Sequence, residues 1–218
     1  MKNKSPFIVG VSQRVDIHDQ IGERRDAIDQ KLFLWLISAG FLPVQIPNVL
    51  SLKSENEPDA INSGNKLSDW LELIKPERIV LSGGNDIGQC PERDGTESQI
   101  LEWSRENSIP VLGICRGLQM MTTWSGTNLI KTEGHVRTRH PLKLVSNDEN
   151  FPSEVNSYHN WVPETCPKGF EITAYAEDGS IEALKHTTLP WEAWMWHPER
   201  ETPFSDRDTN RLRRLFGG

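Results

Sequence analysis

Three short stretches carry side chains able to do covalent chemistry: Gly113-Ile114-Cys115-Arg116-Gly117, Ser82-Gly83-Gly84-Asn85-Asp86 and Trp196-His197-Pro198-Glu199. In the first, a cysteine stands between two glycines, after the apolar run Ile109–Ile114 and before the helix-forming run Leu118–Trp124. Strand, Gly-x-Cys-x-Gly, helix is the pattern of a nucleophile elbow with sulfur in place of oxygen. The sharp turn strains the central residue and lifts its side chain clear of the sheet. The glycines keep side chains out of the crowded space around it. The helix that follows turns its free N–H groups and positive dipole end toward the sulfur, which favours the reactive thiolate. A small buried cysteine at an ordinary strand-to-helix turn shares this local pattern, so the neighbouring parts decide.

Acyl transfer to sulfur needs a base with an orienting group, and donors for the developing oxyanion. Gly83 and Gly84 follow the apolar strand Arg78–Leu81 at the edge where open α/β sheets bind ligands. If that strand neighbours the elbow strand, the N–H groups of Gly84 and Arg116 would form an oxyanion hole. Of six histidines, His197 closes an apolar strand. Proline after it holds it extended, and Glu199 lies within reach of its Nδ1–H. Singly, these are a glycine turn and a His–carboxylate pair at an exposed strand end.

The elements that must position these groups follow from periodicity. Phe7–Val11 reads as a buried strand, and residues 12–20 as a polar loop ending near Gly22. Residues 23–39 read as a helix stopped by Gly40, and residues 42–47 as a second strand. A polar loop at 54–65, a helix at 67–74 and a strand at 78–81 come next. A helix at 95–107 then feeds the elbow strand. This βαβαβαβα order predicts a parallel sheet covered on both faces. Beyond Gly126, strands at 140–145, 171–176 and 181–185, with the turn signal Asp178-Gly179, predict a small antiparallel region. A last strand spans 191–196, and its tryptophans read as core and pocket wall. Residues 206–216 form a basic helix capped by Ser205 or Asp206, expected to be a solvated surface element. With no linker or repeat, residues 1–218 read as one domain.

The net charge of −7 carries no basic footprint, so no nucleic-acid partner is expected. No apolar run is long enough for a membrane helix or a signal-peptide core. Cys90, Cys115 and Cys166 form no CxxC, which suits a reducing cytoplasm. No metal-ligand spacing is present, at His135 and His140 or elsewhere, so no metal or cofactor is expected.

Taken in chain order, Ser82–Asp86 first, then Gly113–Gln119, then Trp196–Glu199, the three stretches resemble the class I glutamine amidotransferases, and within them the γ-glutamyl hydrolase branch that includes the γ-glutamyl-γ-aminobutyrate hydrolases. Val155-Asn156-Ser157-Tyr158-His159, Glu23-Arg24-Arg25-Asp26 and Ala176–Ala183 extend the resemblance over nearly the whole chain. It implies a flavodoxin-like, mostly parallel sheet flanked by helices. It makes Cys115 the nucleophile of a γ-glutamyl thioester, His197 the base and Glu199 its orienting partner. Gly83, Gly84, Asn85 and Arg116 would serve the oxyanion and substrate, and Gln119, Asn156, Ser157, Tyr158 and His159 would line the γ-glutamyl pocket. Two departures stand out: a short 87–97 segment, and Met195 where glutamine is usual. Met195–Glu201 and Asn156–Asn160 instead resemble γ-glutamyl-CDP-amidate hydrolases of capsule phosphoramidate synthesis, whose leaving group is cytidine diphosphoramidate. Arg14, Arg24 and Arg25 would then face a diphosphate, although all three also read as a charged surface. The partner expected is a small γ-glutamyl molecule, with a homodimer allowed. Two other classes stay open: a glutaminase subunit serving a separate synthetase, and a noncatalytic binding module that keeps the elbow.

Overall fold

The computed structural model describes residues 6–51, 66–146 and 150–217; the 54–65 loop reading lies outside them. Three apolar runs too short for helices, β1 (Ile8–Ser12), β5 (Arg78–Leu81) and β6 (Val111–Ile114), form the centre of an eight-stranded sheet, with β4 (Leu42–Ile46) outside β1. The last parallel strand, β14 (Trp191–Trp194), lies beside β6. In chain order the five parallel strands run 2-1-3-4-5 across the sheet, the flavodoxin-like arrangement, whose switch point lies between β1 and β5. Beyond β14 the sheet turns antiparallel through β13 (Ile181–His186), β12 (Phe170–Tyr175) and the short β9 (Lys143–Leu144). The mostly parallel sheet with an antiparallel region is therefore as expected.

Helices α1 (Gln30–Ser38), α2 (Lys66–Ile74), α3 (Pro91–Glu106), α4 (Arg116–Trp124) and α5 (Asp206–Phe216) flank it. Two more antiparallel ribbons stand apart: β8 (Val136–Pro141) with β10 (Glu154–Tyr158), and β7 (Leu129–Lys131) with β11 (Trp161–Pro163).

The largest departure from expectation lies at 12–39. Residues 14–18 and 23–27 pair as a hairpin, β2 (Arg14–His18) with β3 (Glu23–Ala27), where a loop and a helix start were expected. Apolar residues at helical spacing begin only at Leu32, and Asp29 caps the true helix by accepting from the Lys31 N–H at 2.9 Å. Other helix starts also move. Pro91 opens α3 four residues before Gly95, using its fixed φ.

The C-terminal helix differs from its expected role. Ser205 caps α5 as anticipated, but the helix is docked rather than solvated. Asp208 accepts from the Trp196 indole at 3.1 Å, Thr209 accepts from Trp35 at 3.2 Å, and Arg211 pairs with Glu192 at 2.7 Å. Trp191, Trp194 and Trp196 are buried in the core, the last two stacked with centroids 5.5 Å apart. Among the described residues no helix is long and apolar enough to cross a membrane.

Candidate active site

Parallel register sets β5, β6 and β14 flush at their C-terminal ends. Leu81 pairs with Gly113, and Trp194 with Ile114. The glycine loop, Cys115 and His197 therefore leave the sheet at one edge. Cys115 is buried, its N–H donates to the Trp194 carbonyl at 2.7 Å, and it adopts φ 50°, ψ −101°. That strained region is the one an elbow requires. The glycine on the helix side is needed for space, because a Cβ at Gly117 would collide with the Leu81 carbonyl. Cys115 stands at the N-cap of α4, which begins at Arg116, two residues earlier than expected. The backbone N–H groups of the first helical turn thus start beside the sulfur.

His197 follows β14 and opens a single 3₁₀ turn, Pro198–Arg200, with Pro198 at its first position. That turn folds Glu199 back, so that Glu199 Oε1 lies 2.7 Å from His197 Nδ1 with both side chains buried. Burial by itself would lower the imidazole pKa. The charges of Glu199 and Cys115, together with the Glu199 hydrogen bond, outweigh it and push the pKa up to about 10. Asn156 grips the same residue by its backbone. Its side-chain amide donates to the His197 carbonyl at 2.8 Å and accepts from the His197 N–H at 3.0 Å. Gly83 completes the packing, since a Cβ there would come within 2.5 Å of the His197 ring.

A buried ionic network holds the glycine loop, and its members Arg93 and Glu97 were not singled out from the sequence. Their i, i+4 spacing on α3 looks like an ordinary exposed helix pair. Both are fully buried instead, 3.0 Å apart. Arg93 Nη2 donates to the Ser82 carbonyl at 2.6 Å and to the Gly83 carbonyl at 3.1 Å. Ser12 donates to Glu97 at 2.7 Å, and the buried Arg116 guanidinium pairs with both Glu97 and Asp94. Burial lowers the pKa of Arg93 to about 10 and of Arg116 to about 9, which leaves both charged near neutrality. Removing the shared carboxylate with Glu97→Gln should destabilise the fold by about 3–5 kcal/mol, because two guanidiniums then lose a buried partner. Urea unfolding reads this directly; an unchanged midpoint would deny the network its role.

The other expected contacts divide. Asn85 does not present its amide to a ligand, for Oδ1 accepts from Val15 N–H and Nδ2 donates to Val15 O, both at 2.8 Å. Gln119 donates to the Trp161 carbonyl at 3.1 Å. The run 156–159 was expected to line one pocket, but strand alternation in β10 splits it. Asn156 and Tyr158 face His197, the Tyr158 ring edge-on at 5.8 Å. Ser157 and His159 turn to the opposite side, toward His135. The arginines separate too. Arg24 and Arg25, placed on β3 rather than at a helix start, pair with Glu92 and Glu23. Arg14 pairs with Asp16 at 2.8 Å, yet also lines a small cleft with Gly83, Gly84, His197 and Arg200. Arg200 was not nominated from the sequence; it stacks over Tyr158 at 4.3 Å.

Comparison with known proteins adds four findings. The family model for glutamine amidotransferase class-I matches residues 48–213. The γ-glutamyl-CDP-amidate hydrolase of Campylobacter jejuni is 31% identical over 204 residues, 89% of this chain and 91% of that one. The glutamine-hydrolysing GMP synthase subunit of Thermococcus kodakarensis is 30% identical over 134 residues, 59% of this chain and 69% of its own. Among solved structures, a protein from Thermoplasma acidophilum assigned provisionally as a GMP synthase subunit superposes with a TM-score of 0.72 at 19% identity. It covers 99% of this chain and 94% of its own; at that identity the likeness speaks to the fold.

Proposed function

The chain belongs to the class I glutamine amidotransferase family, and from that premise we propose that it is a thiol hydrolase of γ-glutamyl amides. The observation that carries the reading is the meeting of Cys115, at its strained elbow, with the buried His197–Glu199 pair. In this reading Cys115 Sγ attacks the γ-carbonyl while the Gly84 and Arg116 N–H groups receive the oxyanion. His197 gives its proton to the departing nitrogen, leaving a γ-glutamyl thioester. It then takes a proton from the water that releases glutamate and frees the thiol.

For the leaving group we favour cytidine diphosphoramidate. The C. jejuni hydrolase is similar along nearly the whole of both chains, whereas the GMP synthase subunit is similar along a shorter part. Arg14 and Arg200 put two guanidiniums on the cleft beside His197, and arginine forks suit phosphate oxygens. This moves the expected phosphate contact from Arg24 and Arg25 to Arg14 and Arg200. The expected result is a kcat/KM for γ-glutamyl-CDP-amidate above that for glutamine by on the order of a hundredfold, with Arg14→Ala bringing the ratio down toward one. Glutamate release by a coupled assay, with phosphorus NMR for the nucleotide, measures it. Equal efficiency on both substrates, or preference for γ-glutamyl-γ-aminobutyrate, would reject this leaving group.

The similarity to GMP synthase subunits favours one second reading, a glutaminase that feeds ammonia to a separate synthetase. Glutamine turnover that is negligible for the isolated chain and rises on adding a partner would favour it over the first.

A further inference from the structure

On the far side of β10 from His197, three imidazoles and a carboxylate converge in the interior. Glu182, on β13, is fully buried. Its Oε1 lies 3.3 Å from His159 Nε2, 3.5 Å from His140 Nε2 and 3.6 Å from His135 Nδ1. The ligand atoms of His135, His159 and Glu182 all fall within 4.8 Å of one another. These approaches are not hydrogen bonds. Both Glu182 oxygens, His159 Nε2 and His140 Nε2 are buried without a hydrogen-bond partner in the protein, a state folded proteins rarely leave unexplained.

The spacing has another meaning. Around one tetrahedral zinc-type ion with bonds of about 2.0–2.1 Å, neighbouring ligand atoms stand about 3.3 Å apart. The distances from Glu182 to the three imidazoles cluster near that value, longer than ordinary hydrogen bonds. The opposite nitrogen of His135, Nε2, lies 2.9 Å from Asp178 Oδ2. That is the outer carboxylate which usually orients a metal-bound imidazole. Nitrogen donors suit zinc, cobalt or nickel rather than magnesium or calcium, which take oxygen.

We infer that His135, His159 and Glu182 form a binding site for one divalent transition-metal ion of the zinc class, with His140 beside Glu182 at its edge. Three protein ligands and one water complete a tetrahedral sphere, and the ion cross-links the elements that carry them. It pins the β8–β10 ribbon, which His135 immediately precedes and His159 immediately follows, to β13 of the main sheet. The same ribbon holds Asn156 against the His197 backbone, so the ion positions that clamp from behind. Sequence spacing could not reveal the set, because its members come from separate elements.

Cobalt(II) and zinc(II) are the probes. Protein freed of any purification tag and stripped with a chelator should take up one cobalt(II) per chain. It should show the intense visible absorption of tetrahedral coordination without a thiolate charge-transfer band. Zinc should displace the cobalt and raise the melting temperature. Cys115→Ala should keep the spectrum, whereas His159→Gln should lose it. Asp178→Asn, at a half-exposed residue outside the ligand set, should weaken the affinity by about 10–100-fold. The wild-type titration decides even where a variant folds poorly. No stoichiometric uptake, a spectrum that vanishes with Cys115→Ala, or unchanged affinity in both His159→Gln and Asp178→Asn would overturn the assignment.

Discussion

Cys115→Ala should abolish glutamate release, by on the order of several powers of ten, while the protein folds as before. Within the proposed mechanism no other group can form the thioester. Cys90 is buried in the protein and Cys166 lies exposed, and alanine at either should be nearly silent. The fold should tolerate the change because alanine keeps the Cβ and the elbow strain comes from the backbone, held by Cys115 N–H on the Trp194 carbonyl and by the packing of Gly117 on Leu81. Turnover with glutamine and γ-glutamyl-CDP-amidate, beside mass analysis of the wild-type chain after a γ-glutamyl electrophile, measures both halves. Substantial turnover by the alanine variant would sink covalent catalysis at this residue.

The second large effect separates His197 from Glu199. In the proposed mechanism His197 moves protons in both half-reactions, so His197→Ala should cost about a thousandfold or more. Glu199→Gln should cost less, since it removes the orienting charge while the base itself remains. Stability should report the same pair. The folded pKa of His197 is raised to about 10 from an ordinary 6.5, so its contribution is full below about pH 6.5 and is lost as pH rises toward 10. Urea unfolding between these limits should show wild-type stability falling with pH, and a flatter slope in Glu199→Gln. A Glu199→Gln enzyme less active than His197→Ala would reverse the two roles.

Much of this architecture was legible in residue order. Buried parallel strands read as continuous apolar runs, so β1, β5 and β6 announced themselves. The sharp chemistry of an elbow demands glycines at fixed offsets, so Cys115 did too. The β2–β3 hairpin was missed because its second strand is a run of charged residues that resembles a helix start, and its pairing depends on contact with β2. Arg93 and Glu97 were missed for a related reason: charges four apart on a helix normally face water, and only the tertiary fold closes over them. The split of residues 156–159 follows from a period of two, once that run is known to be a strand. His135, His140, His159 and Glu182 come from separate elements, and only strand pairing brings them together.

The position of β14 in the sheet has a consequence for how the chain is made. The elbow strand ends at Ile114, but its neighbour begins only at Trp191, roughly 80 residues later. At ordinary ribosomal speeds that gap lasts on the order of 4–15 s. Throughout it the fully apolar edge of β6 has no β14 to pair with, and such an edge invites pairing with another chain. A nascent protein caught in that interval has its sulfur but not yet the base His197, so it cannot turn over substrate. It is also at its stickiest. Synthesis pauses placed between these two strands should therefore lower the soluble yield more than pauses placed after α5.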